Sequence, residues 1–68
     1  MGIFAERLRD LRQEKELSQR QLSKLLGLGH SAVTQWENEM RVPNAEAVVM
    51  LAKFFDVSAD YLLGLKDE

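Results

Sequence analysis

The sequence predicts an all-α fold of five short helices, on three observations. Apolar residues recur at helical spacing along the chain, and no segment alternates apolar and polar residues as a half-buried strand would. Ser18, Asn44 and Ser58, residue types that start helices, precede three of the apolar runs. Gly27 and Gly64 follow apolar runs, where a left-handed residue commonly ends a helix.

Taken in order, the first helix carries Phe4, Leu8 and Leu11 at i, i+4 and i+7, with Arg7, Arg9, Asp10 and Arg12 between them. It is expected to end near Lys15. Ser18-Gln19-Arg20-Gln21 has the form of a capping box, in which Ser18 accepts from a free backbone N–H and Gln21 reaches back. It opens a short second helix carrying Leu22, Leu25 and Leu26, which Gly27-Leu28-Gly29 breaks. A third helix is expected from about His30 to Asn38. Pro43-Asn44 starts a fourth, with a core stripe of Ala47, Val48, Leu51, Ala52 and Phe55. Ser58 caps a last short helix through Tyr61, Leu62 and Leu63, closed by Gly64.

Length and composition narrow the classes of function. The 68 residues are read as one domain, 1–68. A chain this short buries only about 60% of the surface its unfolded form exposes, so it depends on tight packing or on a partner. Cysteine is absent and His30 is the one histidine, which removes disulfides and thiolate metal sites. No metal or cofactor is expected. Catalysis is not expected either, because the chain has no Ser/His/Asp set and no phosphate-cradling loop. No stretch approaches the roughly 18 apolar residues that span a bilayer, and the N-terminus lacks a signal-peptide core. The expectation is a cytoplasmic protein with no membrane partner.

The formal net charge of −2 is unevenly spread. Residues 1–43 hold seven Lys/Arg against six Asp/Glu, whereas residues 44–68 hold two against five. The acidity thus sits mostly in the C-terminal third. Contact with a polyanion through the remainder would be weak and non-specific affinity low, since that affinity comes from phosphate neutralisation.

Two short helices around a glycine-containing turn suggest a helix-turn-helix, whose second helix enters the DNA major groove. At ~100° per residue, Ala32, Val33 and Trp36 fall on one side of the third helix. Ser31, Thr34, Gln35 and Asn38 fall on the other, with His30 at the flank of the first turn. A merely solvated face is more often filled with Glu and Lys. This one is small, uncharged and able to donate and accept hydrogen bonds, which suits the edges of bases. On the residues alone, base reading and a plain solvated face stand level.

Longer stretches match a known pattern. Leu17-Ser18-Gln19-x-x-Leu22, Leu26-Gly27, Val33-x-x-Trp36-Glu37-Asn38 and Arg41-x-Pro43 resemble the lambda-repressor/Cro family, also called the xenobiotic-response-element family of helix-turn-helix regulators. The resemblance extends to Phe4, Leu8, Leu11 and Arg12 upstream and to Leu51-Ala52, Val57-Ser58 and Leu62-Leu63-Gly64 downstream. It implies a compact five-helix lambda-repressor-like DNA-binding domain with the helix-turn-helix at about residues 18–37. It also implies a sequence-specific regulator of transcription, a repressor binding a pseudo-palindromic double-stranded DNA operator as a homodimer. His30, Ser31 and Gln35 match base-reading positions of the family, with Thr34 a frequent fourth. Gln19, Asn38 and Arg41 match phosphate-contacting positions. Arg12 and Glu37 match a structural salt bridge between the first and third helices.

The chain also departs from the family. Glu16, Glu39 and Asp56 stand at three helix ends where glycine is common. Asp tolerates the left-handed conformation better than Glu, so a different turn is expected after the third helix. Met40 replaces a usual basic residue and Glu39 adds negative charge beside the expected phosphate path, which predicts a shallow salt dependence. On the fourth helix, Met50 and Phe54 lie one turn apart, about 90–130° from the core centre, as an exposed pair suited to a dimer or protein-partner contact. A rival reading follows from that pair and the acidity: an antitoxin-like or adaptor module of the same fold, binding a protein partner and DNA only weakly. The chain can also be read as the DNA-binding part of a longer protein.

Overall fold

Five α-helices make up the computed structural model, which describes residues 2–68: α1 (Ile3–Glu14), α2 (Gln19–Leu25), α3 (Ala32–Glu37), α4 (Ala45–Phe55) and α5 (Ala59–Leu63). No strand occurs among the described residues. The helix starts follow from local chemistry. Ser18 Oγ accepts the Gln21 N–H at 3.0 Å while Gln21 Oε1 accepts the Ser18 N–H at 2.8 Å, completing the capping box. Asn44 Oδ1 accepts the Ala47 N–H at 2.8 Å, and Ser58 Oγ the Tyr61 N–H at 2.9 Å. Each cap satisfies one backbone donor that the first helical turn leaves free.

Four details differ from the sequence expectation. First, α3 is shorter than a helix from His30 to Asn38: His30 and Ser31 sit in the turn before it, and Asn38 is its C-cap. Ser31 makes no side-chain cap there, and its backbone is near the helical region already. Second, the turn after α3 is not a different one. Glu39 takes φ 59, and Glu16 and Asp56 both take φ 56, so all three adopt the left-handed conformation without glycine. At Glu39 the bond from Met40 N–H to the Gln35 carbonyl, 2.9 Å long, closes the helix end and holds that conformation. Third, Leu25 is 60% exposed, and Ser23 takes the inward place beside Leu22. Fourth, Met50 and Phe54 are half-buried rather than an exposed pair. Phe54 packs edge-on to Phe55, with ring centres 4.9 Å apart, and the exposed large apolar residue on α4 is Val49.

The core joins all five helices. Leu8 and Leu11 from α1, Leu22 from α2, Val33 and Trp36 from α3, the Ala47–Phe55 stripe of α4 and Leu62 of α5 form one cluster. α3 packs against both α1 and α2, and α5 bridges α1 and α4. The end of α5 lies close to the start of α1: a Cβ on Gly64, whose φ is 82, would stand 2.6 Å from Ile3 Cγ2. Arg7 reinforces this junction. Its guanidinium lies 4.3 Å over the Tyr61 ring and donates to the Tyr61 carbonyl and, at 2.7 Å, to that of Lys66. The result is a scaffold in which α1 and α2 hold α3 against the core and leave its outer face to solvent.

Candidate nucleic-acid interface

With six residues, α3 is too short to persist alone, since isolated helices below about 12 residues are marginal in water. Contacts from α1 and α2 hold it. At its start, the hydroxyl of the fully buried Ser23 accepts the Val33 N–H at 3.2 Å, supplying from α2 the cap that Ser31 does not. Ser23→Ala would leave that N–H buried without a partner, at a cost of about 1–3 kcal/mol. Urea unfolding measures it; a change below about 0.5 kcal/mol, the size of an indifferent surface substitution, would show that Ser23 does not cap α3.

At its other end, α3 is fastened through Glu37, whose side chain has no exposed surface. Arg12 approaches the carboxylate with both arms: Nε donates to Oε2 at 2.7 Å and Nη2 to Oε1 at 2.9 Å. Its remaining Nη1 donates to the Leu17 carbonyl at 2.8 Å, tying in the α1–α2 turn. Gln19 Nε2 donates to Glu37 Oε1 at 2.9 Å, and Arg9 Nη2 reaches the Glu37 backbone carbonyl at 3.3 Å. Burial alone would push the Glu37 carboxyl up. The hydrogen bonds from Arg12 and Gln19, with the charges of Arg12 and Arg9, outweigh burial and hold it below the usual carboxylate range. The hydrogen bond to Glu37 correspondingly raises Arg12. Two short bonds in parallel also orient α3 about its own axis, which a single contact would not do.

This fixes which side chains face outward. His30 and Ser31 are exposed ahead of the first turn, Thr34 and Gln35 are half-buried, and Asn38 is exposed at the C-cap. Thr34 is not free: its hydroxyl donates to Gln19 Oε1 at 2.8 Å. Gln19 therefore links the buried carboxylate to the outer face, its oxygen engaged by Thr34 and one amide hydrogen by Glu37. Arg41, exposed in the loop after α3, donates from Nη1 to Gln35 Oε1 at 3.2 Å. The structure thus joins Gln19 to Thr34 and, separately, Arg41 to Gln35, alongside His30, Ser31 and Asn38. Met50, on α4, lines a shallow hollow with Ala32, Trp36 and Arg41, and Phe54 is turned to Phe55. Sequence reasoning misses Ser23 and Arg9. The one signal for Ser23 is its place beside Leu22 on the inner face of α2; for Arg9 there is none, because its partner is 28 residues away.

No group of three or more potential metal-ligating side chains occurs among the described residues. Nor is any described helix long and apolar enough to cross a membrane. Two helices joined by a left-handed Gly27, the second buried along one side and carrying uncharged hydrogen-bonding groups on the other, define a helix-turn-helix domain of the lambda-repressor-like class. The chain belongs to the helix-turn-helix family, whose model matches residues 8–62. It is 38% identical over 66 residues to YobD of Bacillus subtilis, an HTH-type transcriptional regulator, covering 97% of this chain and 59% of that protein. It is 36% identical over 61 residues to repressor protein C2 of Salmonella phage P22, covering 90% of this chain and 28% of the repressor. The chain therefore spans less than two thirds of either relative's length. Among solved structures, the P22 c2 repressor in complex with a synthetic operator superposes with a TM-score of 0.85 at 33% identity, over 97% of this chain and all of that one.

Proposed function

We propose that this chain is a sequence-specific binder of double-stranded DNA that regulates transcription, acting as a repressor and placing α3 in the major groove. The observation that carries the reading is the outer face of α3, an uncharged set of donors and acceptors on a helix whose rotation is set from beneath by Glu37. The likeness to an operator-bound repressor over nearly the whole chain supports it. His30, Ser31 and Gln35 meet base edges, and Thr34, with its hydroxyl hydrogen committed to Gln19, offers its methyl group to thymine. Gln19 donates its second amide hydrogen to a phosphate, and Asn38 and Arg41 contact the backbone one turn on. The protein acts as a homodimer, with recognition helices roughly 34 Å apart on an inverted repeat. It works inside the cell without a cofactor and catalyses no reaction. The exposed Val49 and half-buried Met50 of α4 are the surface proposed for a subunit or partner contact, with Phe54 turned to Phe55.

Selection of sites from a randomised duplex pool at near-physiological salt tests this. The expected product is an inverted repeat, with affinity reduced at least about tenfold by Ser31→Ala/Gln35→Ala, since each base contact carries about 1–3 kcal/mol. No enriched site from folded, monodisperse protein would sink the reading. It would leave the protein-interaction module as the alternative.

A further inference from the structure

We propose that Arg41 determines which base Gln35 reads, by holding its amide in one orientation. An arginine carries donors only, so the Gln35 atom facing Arg41 Nη1 at 3.2 Å is necessarily the oxygen. The amide nitrogen is turned away. The backbone supports this arrangement: Met40 N–H donates to the Gln35 carbonyl at 2.9 Å, and the left-handed Glu39 folds the loop back over the last turn of α3. Arg41 is thus brought against Gln35 by main-chain geometry as well as by its own side chain.

The consequence is chemical. An unrestrained glutamine reads adenine with both ends of its amide, donating to N7 and accepting from N6. With its oxygen held toward Arg41, this glutamine leads with its two amide hydrogens, although the oxygen keeps a second lone pair. The matching purine is guanine, which shows two acceptors, N7 and O6, in the major groove. Arg41 retains its other N–H groups for a phosphate, so positioning Gln35 and contacting the backbone are compatible. The inference rests on the reading that α3 enters the major groove.

The test compares sites selected by the unmodified chain, by Gln35→Ala and by Arg41→Ala, each shown to be folded by circular dichroism. The base pair whose preference relaxes in Gln35→Ala is the one Gln35 reads. At that pair the unmodified chain is expected to favour guanine over adenine by at least about fivefold, and Arg41→Ala to erase or reverse the preference. An unchanged preference with a uniform fall in affinity would make Arg41 a phosphate contact only and overturn the proposal. A preference for adenine in the unmodified chain would overturn it too. If a site is selected but Gln35→Ala relaxes no position, the proposal fails while DNA reading stands. If the unmodified chain selects no site, the DNA reading itself has failed, and the proposal with it.

Discussion

Arg12→Ala is expected to cost about 3–5 kcal/mol, because it strips both short bonds from a carboxylate that has no access to water. A chain of this length has a total stability of about 3–10 kcal/mol, so the variant loses about three tenths of it at the least. Gln19 and Arg9 remain near Glu37, but neither supplies a charged pair of short bonds: Arg9 Nε is 3.5 Å from Oε1 and Gln19 is neutral. The deficit depends on pH in a defined direction. With its folded-state carboxyl held below the unfolded value, Glu37 contributes stability above the ordinary carboxylate range. That contribution is lost as pH falls through the folded-state value. In Arg12→Ala the balance tips toward burial, which favours the protonated acid, so the variant is relieved as Glu37 takes up a proton. The stability gap between the two proteins should narrow between about pH 7 and about pH 4. Urea unfolding at both values measures it, and a gap that is constant or widens on acidification would show that the pair does not govern the site.

Trp36→Ala is expected to be as damaging, by about 3–5 kcal/mol, through a different cause. Trp36 is 6% exposed and meets Phe4 of α1 edge-on, with ring centres 6.4 Å apart. It is the largest side chain that α3 contributes to the core, and its loss leaves a void that a six-residue helix cannot shift to fill. For a domain of this size the midpoint of thermal unfolding should drop by at least about 12 °C. Trp36→Phe keeps an apolar ring in the site and should retain most of the stability. Circular dichroism melts follow both variants. A drop of less than about 4 °C for Trp36→Ala would mean that α3 is held by polar contacts alone.

What was legible in the sequence was mainly what is local. Ser18, Asn44 and Ser58 cap helices because a side-chain oxygen two or three residues from a free N–H needs nothing beyond the turn itself. The α4 stripe was legible because helical spacing places Ala47, Val48, Leu51, Ala52 and Phe55 together before any tertiary contact is known. Leu25 shows where that logic ends. Its spacing fits the inner face, but α2 meets the core through Leu22 and Ser23 and leaves Leu25 outside. The left-handed Glu39 runs against local preference and is held by a closing backbone bond to Gln35. The partners of Glu37 are less accessible still. Arg9, Arg12 and Gln19 lie 18 to 28 residues away, and only the packing of α1 and α2 on α3 makes them neighbours. For the same reason the engagement of Thr34 by Gln19, and of Gln35 by Arg41, alters what the outer face offers in a way that residue type alone does not disclose.

The carboxylate beneath α3 has a further consequence for how the domain opens. A six-residue helix on a surface would ordinarily be among the first segments to exchange its amide hydrogens, through local fraying that leaves the remainder intact. Here fraying of α3 would pull Glu37 away from partners on α1 and α2, and would uncover both Arg12 and the α1–α2 turn it secures. The amides of α3 should therefore exchange in the same cooperative unit as those of α1. The ordering entropy of the helix is then met once, when the chain folds, and not again each time a ligand arrives.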